Sequence, residues 1–290
     1  MSAGRTRVEL RARAKVNLSL AVLGKRPDGF HELDTSMLAL ELADRLVLRP
    51  RAQPGVGIAL RGPFASADIP ADASNLAARA AGEVLRRSGR AGGISIELEK
   101  QIPSGSGLGG GSSDAAAAWI GACELLGFDP GNEATQAGLA ALGSDCVFFW
   151  KAAETGFARC LGRGERVEPA PAPPAASAVA LIVPAVACPT AKVYGAFSAA
   201  DPAAKNQLER AALAAVPELG AWRKALDSGP FRHWQLSGSG SSFFALHAEL
   251  RSARAELEAL EGLLARQGLA PRLALACAAG GGTTQILRVV

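Results

Sequence analysis

A glycine-rich segment, PSGSGLGGGSSD at residues 103–114, is the stretch whose residue types point most directly to chemistry. Glycine costs conformational entropy on folding, so a dense run is either a flexible linker or a backbone held closely around a ligand. The alternation of ISIELEK at 94–100 predicts a strand before it, and the helical spacing of Ala116, Trp119 and Cys123 predicts a buried helix after it. Because a linker would not lie between a strand and a buried helix, we interpret the segment as a binding loop.

A glycine-rich turn that leads from a strand into a helix can bind phosphate, because its backbone N–H groups point inward and the helix dipole adds positive charge. The segment lacks the lysine of a Walker A loop. Its G-x-G-x-x-G match at 105–110 is not followed by a convincing βαβ unit with an acidic ribose ligand, so a dinucleotide fingerprint is not predicted. If this segment is considered without the other motifs, the alternative to a phosphate-binding loop is a glycine turn that serves only tight packing. Ser112, Ser113 or Asp114 is the expected N-cap of the helix.

Lys15 and Asn17 lie in a segment of regular alternation, residues 7–20. Apolar side chains occupy one set of alternate positions, and mainly charged or polar side chains occupy the other. This period of two predicts a strand, or two strands joined by a bend. We therefore expect Lys15 and Asn17 side by side on the face away from the apolar layer.

Two further segments place polar or small residues next to apolar runs. LGSDCVFF at 142–149 puts Asp145 between a helix-ending glycine and a predicted apolar strand, and its alternative role is that of a turn or cap residue. LSGSGSSFFAL at 236–246 is a second small-residue turn that leads into a predicted strand with two phenylalanines, and its alternative is an ordinary hairpin. Each segment is a candidate part of a site only if the fold brings it to the glycine loop.

The mixed order of predicted strands and helices indicates the α+β class with two lobes. Helices with caps at both ends are predicted at 74–89 and 132–143, and a third helix is predicted at 252–268 because Leu257, Leu260 and Leu264 recur on one face. The low-complexity stretch PAPAPPAAS at 169–177 reads as a surface connection between the lobes. We accordingly divide the chain into domains at 1–168 and 169–290.

Composition narrows the classes of protein that the chain can belong to. A net charge of +4 on 290 residues, without a basic run, argues against nucleic-acid binding. The most apolar run, at 178–188, is about half a membrane span and contains proline, so no membrane association is expected. Five cysteines without a C-x-x-C pair and three histidines far apart in sequence predict no metal site. An odd number of cysteines in mostly apolar settings favours reduced thiols and a cytoplasmic protein.

Four segments, in this order and spacing, resemble the GHMP small-molecule kinases: AKVNLSLAVLGKRPDGFHELDT, IPSGSGLGGGSSDAAAA, LGSDCVFF and LSGSGSSFFAL. The likeness covers nearly the whole chain. It implies a two-lobed fold, with an N-terminal left-handed βαβ domain that binds ATP and a C-terminal ferredoxin-like α/β layer. The A-K-x-N-L opening and the D-G-[YF]-H-E segment are particular to members that act on a substrate with a cytosine base.

The resemblance also implies an activity and the residues that carry it. A member of this kind transfers a phosphoryl group from ATP, accompanied by Mg²⁺, to the 2-hydroxyl of a cytidine diphosphate-linked methylerythritol in non-mevalonate isoprenoid biosynthesis. Matched motif by motif, the catalytic lysine and aspartate fall on Lys15 and Asp145. The substrate-binding residues fall on Asn17, Phe30, His31, Thr190 and Tyr194. The ATP-binding residues fall on Pro103, Ser104, Gly105, Ser106, Gly107, Leu108, Gly109, Gly110, Gly111, Ser112 and Ser113, with Asn75 near the adenine.

Two departures and two alternatives accompany the resemblance. Phe30 stands where tyrosine is common in the family, and the C-terminal segment GGGTTQILRVV departs from the usual ending. The first alternative is a GHMP kinase of the mevalonate or homoserine type, which would not need aromatic faces for a base. The second is a non-catalytic ligand sensor on the same fold, which would keep the loop but lose the lysine or the aspartate.

Overall fold

The computed structural model describes residues 5–173, 176–199, 201–229 and 233–290. Its strands are β1 (Val8–Lys25), β2 (His31–Arg51), β3 (Gly55–Arg61), β4 (Gly93–Glu99), β5 (Phe157–Gly162), β6 (Arg166–Pro169), β7 (Ala178–Pro184), β8 (Gln235–Leu236), β9 (Phe243–His247), β10 (Pro271–Ala278) and β11 (Thr284–Val289). Its helices are α1 (Leu76–Ser88), α2 (Gly110–Leu126), α3 (Asn132–Leu142), α4 (Cys146–Lys151), α5 (Thr190–Ala196), α6 (Glu209–Ala215), α7 (Leu219–Ser228) and α8 (Leu250–Arg266).

The N-terminal lobe is built on a sheet in the order β11-β1-β2-β4-β3, to which β5 and β6 are added beside β2. The strands β1 and β2 form a long antiparallel hairpin, whereas β3 and β4 pair in parallel and are connected through α1. One face of the sheet packs against α1 and α2. There Leu10, Leu48, Ile96 and Trp119 share a buried core, which holds the glycine loop at the edge of a rigid layer.

The helices predicted at 74–89, 132–143 and 252–268 are confirmed as α1, α3 and α8, but the start of α2 differs from its prediction. Gly127 ends α2 in the left-handed conformation, as the sequence predicts, and Asn75 is the N-cap of α1. The predicted N-cap of α2 at Ser112, Ser113 or Asp114 is wrong, because α2 already begins at Gly110. Gly109 adopts φ +71°, so a glycine turns the chain into the helix and no side-chain cap is made there.

A second difference concerns the apolar run after Asp145. The predicted strand is wrong, since Cys146–Lys151 forms the short helix α4. All of Cys146, Val147, Phe148 and Phe149 are buried. A short, continuously apolar run fits a buried strand and a buried helix equally well, so its periodicity could not decide between them.

The C-terminal lobe contains a smaller antiparallel sheet in the order β10-β7-β9-β8. Every residue of β7 is buried, because the sheet has a core on both faces. Ile182 packs with the helices of this lobe, whereas Leu181 and Phe244 pack with Val16 and Leu38 of the N-terminal sheet. The two sheets are thus joined by a shared apolar layer, and the predicted α+β, two-lobed architecture is confirmed.

The proposed boundary between residues 168 and 169 falls inside β6. The predicted connection at 169–177 follows directly, and its residues 174 and 175 lie outside the part that the structure describes. The chain later returns to the N-terminal lobe, where β11 pairs with β1 in antiparallel fashion. Among the described helices, none has the length and apolar character to cross a bilayer.

Candidate active site

A cleft of about 1080 Å³ runs between the glycine loop, the β1–β2 hairpin, the residue before α4, and α5. All of the residues predicted to form a site line this cleft except Ser113. Ser113 is fully buried inside α2, and its hydroxyl has no hydrogen-bond partner among the residues described. The fold therefore brings the separated sequence motifs to one place.

Lys15 and Asp145 meet at the centre of the cleft. Lys15 Nζ lies 3.4 Å from Asp145 Oδ2, and it donates to Asn17 Oδ1 at 2.7 Å and to the Gly107 carbonyl at 3.0 Å. The Lys15 side chain is only 5% exposed, whereas the Asp145 side chain is 27% exposed. Asp145 stands at the N-cap position of α4 but makes no capping hydrogen bond. Its carboxylate is therefore held beside a fixed positive charge while still facing the cleft.

Asn17 fixes the lysine from the neighbouring position on β1. Its Oδ1 accepts from Lys15, and its Nδ2 donates to Thr35 Oγ1 at 2.8 Å, which sets the orientation of the amide. Its backbone N–H donates to Ser237 Oγ at 3.3 Å. Both ends of the Asn17 side-chain amide, and its backbone N–H, are thus hydrogen-bonded within the protein. The partners Thr35 and Ser237 were not singled out from the sequence.

The glycine loop depends on backbone conformations that only glycine adopts easily. Gly105, Gly107 and Gly109 have φ values of +64°, +78° and +71°. A Cβ at Gly107 would lie 2.4 Å from the Ser237 carbonyl oxygen, and one at Gly109 would lie 3.1 Å from Lys15 Cε. The loop is therefore pressed against both the lysine and the turn at 237–240.

The second small-residue turn supports the glycine loop directly. Ser237 Oγ donates to the Gly107 carbonyl at 3.1 Å, and Ser242 N donates to the Ser106 carbonyl at 3.0 Å. A Cβ at Gly238 would lie 3.0 Å from Asn17 Oδ1. The segment at 236–246 is thus more than an isolated hairpin, because it closes the loop from the C-terminal lobe.

A buried charge network lies under the loop and was not found from the sequence. Lys100 Nζ bonds to Asp44 and, at 2.6 Å, to Asp114 Oδ2, and Asp44 Oδ1 accepts the backbone N–H of Ile102 at 2.8 Å. Burial acts to lower the pKa of Lys100, but the two carboxylates outweigh it and raise that pKa. Burial raises the pKa of Asp114 to about 8, against the opposing effect of Lys100. The only sequence signal for this network was the position of Lys100 between the predicted strand and the glycine loop.

Aromatic side chains form one wall of the cleft. The rings of His31 and Tyr194 stack with centroids 4.9 Å apart and planes at 26°, and Phe197 meets His31 edge-on at 6.1 Å. Phe30 is 51% exposed, and the Arg163 guanidinium lies 4.9 Å from its ring centre. Burial, with a smaller contribution from Asp145, raises the pKa of Tyr194. Arg163 was not among the residues singled out from the sequence.

Three further predicted residues, Thr190, Asn75 and Ser104, line the cleft away from the Lys15–Asp145 pair and make hydrogen bonds within the protein. Thr190 Oγ1 lies 3.0 Å from Ser239 Oγ, next to the second small-residue turn. The Asn75 side chain accepts from Ala77 N at 2.9 Å and donates to the Pro70 carbonyl at 2.8 Å. Asn75 thus has a structural role as a helix cap at the edge of the cleft. Ser104 Oγ donates to Asp68 Oδ2 at 2.7 Å, which ties the start of the glycine loop to the segment before α1.

Comparison with known proteins agrees with this geometry. The model of the GHMP kinases N-terminal domain matches residues 75–150, which include α1, the glycine loop and Asp145. The 4-diphosphocytidyl-2-C-methyl-D-erythritol kinase of Pelotomaculum thermopropionicum is 41% identical over 270 residues, which cover 84% of this chain and 90% of that protein. The enzyme of the same name from Thermus thermophilus is 37% identical over 272 residues, covering 87% of this chain and 92% of that protein.

Two solved structures extend the comparison. A crystal structure of 4-(cytidine 5'-diphospho)-2C-methyl-D-erythritol kinase matches with a TM-score of 0.73 at 35% identity, covering 94% of this chain and 100% of that one. The homoserine kinase of Cytophaga hutchinsonii matches with a TM-score of 0.75 at 20% identity, covering 99% of both chains, and shows the shared fold alone. The chain therefore belongs to the GHMP kinases and, within them, to the family of 4-diphosphocytidyl-2-C-methyl-D-erythritol kinases.

Proposed function

We propose that this kinase transfers the γ-phosphoryl group of ATP to the 2-hydroxyl of 4-diphosphocytidyl-2-C-methyl-D-erythritol. The observation that carries the proposal is the position of the Lys15–Asp145 pair, 3.4 Å apart, between the glycine loop and the aromatic wall. The loop supports binding of a nucleotide triphosphate on one side. The stacked rings of His31 and Tyr194 support binding of a base on the other. The acceptor hydroxyl then lies beside Asp145.

Phosphoryl transfer passes through a loose transition state, so positioning and charge stabilisation matter more than a strong nucleophile. Asp145 orients the acceptor hydroxyl and takes its proton, because its carboxylate faces the cleft and has no capping role. Lys15 keeps that carboxylate in place and offsets the negative charge that spreads over the transferring group. Asn17 holds Lys15 through its 2.7 Å hydrogen bond and borders the substrate.

The loop residues 103–113 bind ATP, because nearly all of them line the cleft and the segment ends at the N-terminus of α2, where free backbone N–H groups favour phosphate. Asn75 borders the same part of the cleft. The residues present fit Mg²⁺, a cation that prefers oxygen ligands, because Asp145 offers a carboxylate at the cleft. When it is bound with ATP, Mg²⁺ would offset the negative charge of the phosphate groups.

The aromatic wall distinguishes this substrate from smaller alcohols. A cytosine presents a flat face for Tyr194 and Phe30 and hydrogen-bonding atoms for His31, and Thr190 borders the substrate beside Ser239. Mevalonate and homoserine have no base that could stack on these aromatic rings. The observed Lys15–Asp145 pair argues against a non-catalytic sensor, which would have no use for it. We further propose that the enzyme acts in the cytoplasm, in isoprenoid precursor biosynthesis, without nucleic-acid or membrane partners.

The direct test is ADP release by the purified protein with Mg-ATP and 4-diphosphocytidyl-2-C-methyl-D-erythritol, with mevalonate and homoserine assayed in parallel. We expect turnover with the cytidine substrate alone, and loss of that turnover in Lys15→Ala and Asp145→Asn. Turnover with another alcohol would overturn the assignment of the aromatic wall. ATP binding without turnover of any alcohol would favour the sensor.

A further inference from the structure

Two of the chain's three histidines, His233 and His247, meet Glu256 in the C-terminal lobe. His247 is the last residue of β9, Glu256 lies on α8, and His233 lies just before β8. The three residues are far apart in sequence, which is why the sequence analysis predicted no metal site. None of them lines the cleft of the proposed active site.

The three side chains direct their donor atoms to one point. Glu256 Oε2 lies 2.8 Å from His247 Nε2 and 3.2 Å from His233 Nε2. The three donor atoms all lie within 4.8 Å of one another. The two imidazole rings are 5.5 Å apart and nearly perpendicular, at 73°, so their nitrogens approach the carboxylate from different directions.

Glu256 stands where an amphipathic helix normally carries an apolar residue. It is fully buried, on the same inward face of α8 as Ala253, Leu260 and Leu264. A buried carboxylate is costly unless it is paired or coordinates a metal. Within the part of the chain that the structure describes, neither Glu256 oxygen nor His247 Nε2 makes a hydrogen bond. Close approach without hydrogen-bond geometry fits atoms arranged around a shared cation better than a simple ion pair.

We propose that His233, His247 and Glu256 form a binding site for a divalent transition metal of the zinc class. Imidazole nitrogens suit Zn²⁺ and related ions, whereas Mg²⁺ and Ca²⁺ prefer sites made of oxygen atoms alone. Two nitrogens and one carboxylate leave a further coordination position for water. The His233 side chain is 45% exposed and the His247 side chain 11%, so the ion reaches the site from the surface above a buried carboxylate.

Such an ion would fasten three separate parts of the C-terminal lobe. It would hold the chain before β8 and the end of β9 to the inner face of α8. The site is outside the cleft, so its role is to stabilise this lobe rather than to take part in phosphoryl transfer. Because a ligand that binds only the native state stabilises it, the melting temperature should rise with the concentration of free metal.

The test is a titration of the metal-free full-length protein with Zn²⁺, followed by isothermal titration calorimetry and by thermal unfolding. We expect one high-affinity site and a higher melting temperature, and no such effect from Mg²⁺ alone. His247→Ala and Glu256→Gln should each weaken Zn²⁺ binding by at least the roughly 100-fold that loss of an outer-shell partner can cost. Because the His233 side chain is half-exposed, His233→Ala is the variant that disturbs packing least. Circular dichroism verifies that each variant is folded.

His31→Ala is the matched control, because it removes the only other histidine and leaves the cluster intact. It should bind Zn²⁺ like the unmodified chain. Co²⁺ gives a second readout: ligation by nitrogen and oxygen produces visible d–d bands without the thiolate charge-transfer band that cysteine ligands would add. Absence of tight Zn²⁺ binding, Zn²⁺ affinity unchanged in His233→Ala and His247→Ala, or a thiolate band from the bound ion would each overturn the proposal.

Discussion

Lys15 Nζ lies 3.4 Å from Asp145 Oδ2 and, at the same time, donates to Asn17 Oδ1 at 2.7 Å. The lysine comes from the first strand of the chain and the aspartate from the residue before α4. The lysine is almost completely buried, whereas the aspartate is partly open to the cleft. This asymmetry suits the roles proposed above, in which Lys15 is a fixed charge and Asp145 accepts a proton.

Asp145→Asn should abolish most of the kinase activity while leaving the fold intact. The amide has nearly the same shape but cannot accept the hydroxyl proton, so we expect kcat to fall by about 10²–10⁴-fold, the usual contribution of a general base. Binding of ATP should persist, because the glycine loop is unchanged. Steady-state kinetics and ATP titration check both expectations. Asp227→Asn, at an exposed carboxylate that pairs with Arg223, is the control and should keep its activity. Equal activity of the two variants would contradict the role of Asp145.

Gly107→Ala should impair ATP binding and stability far more than Gly105→Ala. Both glycines have positive φ, so both substitutions bear a backbone cost of about 1–2 kcal/mol. Only at Gly107 would the new Cβ also collide with the Ser237 carbonyl, at 2.4 Å, since nothing lies within 4 Å of a Cβ at Gly105. Denaturant unfolding and ATP titration separate the two effects. Similar losses in both variants would show that backbone strain, and not contact with the turn at 237–240, limits the loop.

Tyr194→Ala should raise KM for the cytidine substrate with little change in KM for ATP. Stacking of a base on an aromatic ring is worth about 1–3 kcal/mol, which corresponds to a rise in KM of about 5- to 140-fold. Tyr194→Phe keeps the ring next to His31 and is the matched control. We expect it to retain the KM of the unmodified enzyme. If Tyr194→Phe were as impaired as Tyr194→Ala, the hydroxyl rather than the ring face would make the contact.

The Lys100–Asp44–Asp114 network should make stability depend on pH. Burial raises the pKa of Asp114 from its ordinary 3.8 to about 8. Between these values the native state keeps a proton that the unfolded chain has released, so the free energy of unfolding falls as the pH rises. Above about pH 8 both states are deprotonated and the fall ends.

Asp114→Asn should remove this dependence, because the amide does not titrate. Urea unfolding of both proteins at several pH values between about 5 and 9 measures the difference. The unmodified protein should lose stability relative to Asp114→Asn as the pH rises through this range. Parallel pH profiles for the two proteins would contradict the raised pKa of Asp114.

The strands and helices that carry the site were predictable where a local pattern existed. The period of two in β1 correctly placed Lys15 beside Asn17. It did not show that both would be buried, because the cover over that face comes from Gly107 of the glycine loop and from Ser237 of the second small-residue turn. Local alternation reports which residues share a face, and only the tertiary fold decides what lies against it.

Contacts between distant segments could not be predicted from single-sequence patterns. Lys100 bonds to Asp44 on β2, and Glu256 approaches His247 on β9, although neither pairing leaves a periodic signal. The helix α4 was misread as a strand because four consecutive buried apolar residues carry no period. The sequence motifs thus identified the residues of the cleft, while the charges that support it and the histidine cluster depended on topology.

Pairing of β11 with β1 has a consequence for synthesis of the chain. Residues 284–289 supply the outer strand of the N-terminal sheet, so that sheet is not complete until the ribosome has passed residue 289. Until then β1 presents unpaired backbone N–H and C=O groups along an open edge, the kind of edge on which strands of other chains can pair. A nascent chain stalled before residue 284 should therefore be prone to aggregation even though its glycine loop has already emerged.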